Sequence, residues 1–189
     1  MTLIEMLVAS AMSVVLLGAI GSMVVSTMRA QPDISKRGQD VSSARWVMER
    51  MTREIRNGVR VDQATPTKVS ILTYVRRTAC GSGAATVATT PAIKCEVTYE
   101  CTTTACTRIE AAAGVYTGTA KTVFSGINSS QVFCFVPSTG ADPLACGPAI
   151  SAAQATYVGV KLQMPNPSSG GTALTVSDGA SLRNATLLK

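Results

Sequence analysis

One carboxylate, Glu5, lies within a 28-residue opening stretch that is otherwise uncharged and mostly apolar, MTLIEMLVASAMSVVLLGAIGSMVVSTM. An ionised side chain in such surroundings costs several kcal/mol unless a partner neutralises it, so Glu5 calls for a positive charge. No basic leader precedes Met1, so the sequence is read as that of a processed chain, whose free α-amino group supplies that charge. Other chemistry is poorly provided for. The chain has no His, which removes histidine general-base catalysis and His-ligated metals. There is no Gly-rich phosphate loop and no paired-carboxylate motif. Glu96, Glu100 and Glu110 could meet on one sheet face, but strand carboxylates of this kind usually serve solubility. No enzyme activity, metal or cofactor is expected. Six Cys lie between Cys80 and Cys146 and none in the apolar stretch. None is spaced C-x2-C, so they read as disulfides of an oxidising, exported compartment.

The elements that carry these residues follow from hydropathy and period. Met6 to Met28 is 23 residues without a charge, and as a helix it is about 34 Å long, enough to cross a bilayer core. It is apolar all round, which suits burial in lipid or among other helices. Gly18 and Gly21 weaken the helix, and Pro32 removes a backbone donor, so a kink is expected at Gln31-Pro32-Asp33, with flexibility between Gly18 and Pro32. From Asp33 to Asn57 the helix resumes. Val41, Ala44, Met48, Met51 and Ile55 make one apolar stripe that lies on a sheet. Glu49–Arg53 and Arg50–Glu54 are spaced to pair on the other face. Trp46 falls off the stripe and is read as a domain-packing residue, ahead of a binding platform. Asn57-Gly58 stops the helix. Beyond Val59 come strands: Val69–Val75, a hairpin of 95–101 and 106–110 around a four-residue loop, Gln131–Val136, Ala155–Met164, Thr172–Val176 and a short one at Leu182–Asn184. The fold class is α+β: a long N-terminal helix, apolar in its first half, packed on an antiparallel sheet with disulfide-stapled loops. Residues 1–30 form the membrane or filament-core helix; residues 31–189 form the head, including the amphipathic second half of the helix.

The run Thr2-Leu3-Ile4-Glu5-Met6-Leu7-Val8-Ala9 resembles the mature N-terminus of type IV pilins and type II secretion pseudopilins. Met1 stands where those chains usually have Phe, and Ser22 where many have Pro. Val97-Thr98-Tyr99, the strand with Arg108, residues 157–162 and Ser181-Leu182-Arg183-Asn184 resemble the larger, sheet-rich minor pilins more loosely. The resemblance implies cleavage by a prepilin peptidase, N-methylation of residue 1, and a membrane-inserted state before assembly. A pilus assembly machinery then builds a homopolymeric helical filament outside the cell. Glu5 would pair with the Met1 amine of a neighbouring subunit. The leading reading is a structural pilus subunit. The alternatives are a minor pilin or pseudopilin at a tip or in a short piston, and an adhesive or DNA-capturing subunit.

Two further sets of residues bear on that choice. Arg45, Arg50, Arg53 and Arg56 could hold DNA phosphates, against a favoured reading in which they meet neighbouring subunits. The six Cys admit fifteen pairings. Loop lengths favour Cys80–Cys95, Cys101–Cys106 and Cys134–Cys146, each stapling a local loop, with Cys80–Cys106 as a conceivable swap because Cys95 and Cys101 share a strand face.

Overall fold

The computed structural model describes residues 2–81, 84–87, 89–137, 155–165 and 172–183, excluding the side chains of residues 30, 32–34 and 137. The element order is α1 (Leu3–Arg56), β1 (Gly58–Thr65), β2 (Lys68–Val75), β3 (Ile93–Cys101), β4 (Ala105–Ala112), β5 (Lys121–Ser125), β6 (Phe133–Pro137), β7 (Ala155–Met164) and β8 (Leu174–Ser181). Two compact units divide the chain, Met1–Asp40 and Val41–Lys189, where the sequence suggested a boundary after residue 30.

The first unit is helical from Leu3 onward, and its large apolar side chains, among them Leu7, Leu16, Ile20 and Val24, are exposed. Its hydroxyls turn inward on their own backbone. Ser13 and Thr27 donate to the carbonyls of Ala9 and Met23, and Ser10, Ser22 and Ser26 to those of Leu7, Ala19 and Met23, at 2.8–2.9 Å. Such back-bonding leaves no hydroxyl between Leu3 and Arg29 asking for water, the condition for a helix to sit in an apolar medium. Leu3–Arg29 is long and apolar enough to span a membrane. The kink expected at Pro32 is corrected in one respect: the backbone is helical through Gly18, Gly21 and Pro32, so helix does not stop and resume but is one element. Pro32 forgoes a single i→i−4 bond, which the ladder on either side tolerates.

In the second unit, β1 to β5 form a five-stranded antiparallel meander in sequence order, and β6, β7 and β8 form a three-stranded antiparallel sheet. Ala44, Met48, Met51 and Ile55 are buried and Val41 is half-buried; Val47 joins them, widening the stripe. They share one core with Val61, Val69, Ile71, Val97 and Tyr99 of the larger sheet and Val158, Val160 and Leu162 of the smaller. The sheets are also tied through backbone. The amides of Val132 and Phe133 both donate to the carbonyl of Pro66, in the β1–β2 turn, at 2.8 and 2.9 Å.

Helix gives way to sheet at Asn57-Gly58 because Gly58 lies against Ile71, Leu182 and the Ile55 carbonyl, with no room for a β-carbon. Strand boundaries correct the sequence reading in several places. β1 and β5 have no counterpart among the expected strands, β6 begins at Phe133, β8 begins at Leu174 and runs to Ser181, and Leu182 and Arg183 are not in a strand. Asn184 lies outside the described residues. Antiparallel register explains most of the rest: Cys101 faces Cys106 across the turn, Val97 faces Ile71 and Glu110, and Tyr99 faces Val69 and Arg108.

Candidate functional site

Glu5 sits in the first turn of α1 and accepts a long hydrogen bond, 3.4 Å, from the Thr2 amide. It is the only charge between Thr2 and Met28. Met1, its expected counterpart, lies outside the described residues.

The polar centre of the head was not read from the sequence. Glu54, on α1, accepts from the Tyr99 hydroxyl at 2.7 Å, from Arg108 Nε at 3.0 Å and from Arg50 Nε at 3.4 Å. Arg108 extends the chain through Nη1 to Glu110 Oε2 at 2.8 Å, and Glu110 Oε1 lies 3.8 Å from Arg77 Nε. The Gly81 amide donates to that same oxygen at 3.1 Å. Gly81 has φ +83°, and a β-carbon there would lie 2.5 Å from the Glu110 carbonyl oxygen, so glycine is required at this crossing. Burial opposes the charged form of Arg108, but Glu54, Tyr99 and Glu110 outweigh it and raise its pKa. Burial pushes the Tyr99 hydroxyl up, and the Glu54 carboxylate adds to that. For Glu110 burial acts upward, yet the Gly81 amide and Arg108 hold the carboxyl below its usual range. The network joins helix to sheet; it contains no nucleophile–base pair.

The opposite face of the larger sheet is covered as well, and it is polar. Glu96, Ser70 and Thr98 are buried on it. Ser70 Oγ donates to Glu96 Oε1 at 2.7 Å and lies 2.7 Å from Thr98 Oγ1. Glu96 Oε2 makes no hydrogen bond of good geometry among the described residues, and Asp62, a second carboxylate, lies close enough to act on it. Burial, then Asp62, push the Glu96 carboxyl upward against the Ser70 hydroxyl and the Gly114 amide. Asp62 itself accepts from Arg60 Nε and Nη2. This corrects the suggestion that Glu96, Glu100 and Glu110 share a face. Glu96 opposes Ala111 and Glu110 opposes Val97, so the alternation of β3 and β4 sends them to opposite sides; only Glu100 is exposed.

Two disulfides stand where loop length placed them, Cys80–Cys95 and Cys101–Cys106, and the swap Cys80–Cys106 does not occur. Cys134 is disulfide-bonded; Cys146 lies outside the described residues. Of the four arginines proposed to contact DNA or other subunits, Arg45 and Arg56 are exposed, Arg53 pairs with Glu49 at 2.7 Å, and Arg50 with Glu54. Arg50 and Arg53 line one shallow pocket on α1 with Trp46, Glu49 and Glu54, each already paired with a carboxylate. Trp46 is 62% exposed, so it is not the packing residue that was expected. It stands at the mouth of a 720 Å³ cleft between α1 and β4–β5, lined also by Arg50, Arg77, Arg108, Lys121 and Glu110.

Among the described residues no cluster of three or more His, Cys, Asp or Glu could hold a metal ion. A helix able to span a membrane, joined to a head with disulfides, fits a secreted or membrane-anchored protein. The chain matches no protein-family model, no curated protein sequence and no solved structure.

Proposed function

We propose that this chain is a structural subunit of an extracellular filament of the type IV pilus kind, held together by the apolar part of α1. The observation that carries the reading is the exposed apolar surface of Leu3–Arg29, whose hydroxyls are satisfied internally and whose sole acid is Glu5. Such a surface is stable in lipid before assembly and among like helices after it. In either medium the carboxylate needs a cation, and the amine of a neighbouring copy is the nearest in kind. Attraction in an apolar setting is much stronger than in water, and desolvation is correspondingly costly, so the pair specifies axial register more than it adds net stability. A copy seated one step out of register leaves both charges unpaired. The disulfide-stapled head then forms the outer surface.

Glu5→Ala tests this. The head should remain folded and the helix inserted, while filament yield falls at least tenfold by shear and electron microscopy. Normal yield from that variant would sink the assembly role. Identification of the bulk protein in purified filaments separates a principal subunit from one present at a tip.

A further inference from the structure

We propose that the cleft between α1 and β4–β5 is a binding site for single-stranded nucleic acid, in which Trp46 stacks on a base and Arg50, Arg77 and Lys121 take the flanking phosphates. The proposal is independent of the filament reading, because every residue of the cleft belongs to one head.

Charge decides the class of ligand. Four cations, Arg50, Arg77, Arg108 and Lys121, line the cleft. Two carboxylates answer them. Glu54 and Glu110 together neutralise the buried Arg108, and each also has one looser partner, Arg50 at 3.4 Å and Arg77 at 3.8 Å. Lys121 has no ion-pair partner among the described residues. The walls therefore keep an excess of two positive charges, on side chains at the surface: Arg50 and Arg77 are 36% and 37% exposed. The buried pairs hold the floor rigid, so the surface cations project from a fixed base.

Shape and the indole narrow the class further. A large aromatic on the exposed side of a helix, one turn before Arg50, leaves its ring free for a planar partner. Base–aromatic stacking beside a positively charged groove is the recurrent means of holding single strands without sequence preference. The volume, 720 Å³, is within the range of small-ligand sites, suiting one or two unpaired nucleotides. Thr119 and Thr122 add hydroxyls at the same wall. This is not the row of Arg45, Arg53 and Arg56 along the helix, where Glu49 already occupies Arg53.

Trp46 is the only tryptophan in the chain, so its fluorescence reports on the surroundings of this one ring, and the Lys121 variant separates the cleft from the shallower pocket that Trp46 shares with Glu49 and Arg53. The full chain in neutral detergent is titrated with an oligo-dT 15-mer, with a mononucleotide, with inorganic phosphate and with an oligo-glutamate of equal charge. Saturable quenching by the 15-mer is expected, weaker quenching by the mononucleotide, and none by phosphate or the peptide. With two phosphates neutralised, log K against log salt should fall with a slope of about −1.4. Lys121→Ala should halve that slope. Followed by anisotropy of a labelled 15-mer, Trp46→Ala should weaken binding about ten- to a hundredfold, and Trp46→Phe should keep most of it. Binding of the 15-mer without quenching of Trp46, equal affinity for oligo-glutamate, or no binding at low salt would each overturn the proposal.

Discussion

Replacing Glu54 by Gln tests whether burial, rather than distance, sets the strength of the head's ion pairs. The variant keeps the shape and one acceptor, so the Tyr99 hydroxyl retains a partner. What it loses is the negative charge beside Arg108, a side chain 8% exposed. Removing one member of a buried pair costs about 3–5 kcal/mol. Here Glu110 still holds Arg108 at 2.8 Å, and Glu54 itself keeps 22% of its exposure, so about 2 kcal/mol is expected. Glu49→Gln is the control. Its pair with Arg53 is shorter, 2.7 Å, but both side chains are 69% exposed, and such pairs contribute roughly 0–1 kcal/mol. Urea unfolding of the full chain in neutral detergent, with disulfides intact and sheet ellipticity as the signal, gives both numbers. With an m-value of about 2 kcal/mol per molar, Glu54→Gln should lower the midpoint by about 1 M and Glu49→Gln by at most half of that. A double mutant with Arg108→Met should cost less than the sum of the two singles. Equal shifts for Glu54→Gln and Glu49→Gln, or additive losses in the cycle, would refute the reasoning.

Glu96→Gln should stabilise the head at neutral pH. Its folded carboxyl is held above the unfolded value, so the folded state binds the proton more tightly and stability declines as pH rises through that interval. Relative to wild type the variant should gain about 1–2 kcal/mol at pH 7 and almost nothing at pH 4; a gain that is the same at both pH values would count against it. The two disulfides should differ in worth. Cys80–Cys95 spans 15 residues and Cys101–Cys106 only 5, so chain entropy gives about 3 against about 2 kcal/mol. Paired Cys→Ser variants compared by urea midpoint check the order, and the reverse order would show that native-state contacts outweigh loop length.

Sequence alone was informative wherever one local rule decided the outcome. A 23-residue run without charge has few alternatives to helix, and a four-residue gap between Cys101 and Cys106 fits a hairpin closed by its own disulfide. Ala155–Met164 alternates cleanly and is β7 to the residue. Reading failed where a second layer of structure intervened. Alternation along β3 implies one wet face, but Cys95 through Tyr99 are all buried, and the Gly114 amide, beyond the end of β4, reaches Glu96 on the face that the period leaves open. The ion pair of Arg108 was out of reach, since Glu54, its partner, lies far away in sequence. Val47 was within reach: it stands four residues before Met51 and one turn after Ala44. Trp46 was assigned by residue type, and only the register of the helix shows that its ring faces out.

The carbonyl of Arg56, left open at the end of α1, accepts the amide of Arg183 at 3.1 Å, and Leu182 packs against Gly58 beside it. Nearly the whole head separates these partners in the chain. Closure of the helix end therefore waits on a residue far downstream in the chain, and the core stays incomplete until residue 183 is available. Non-local closure of this kind is slow relative to local pairing. The local disulfides Cys80–Cys95 and Cys101–Cys106 can form during that wait, securing the larger sheet before Leu182 and Arg183 close the end of the helix.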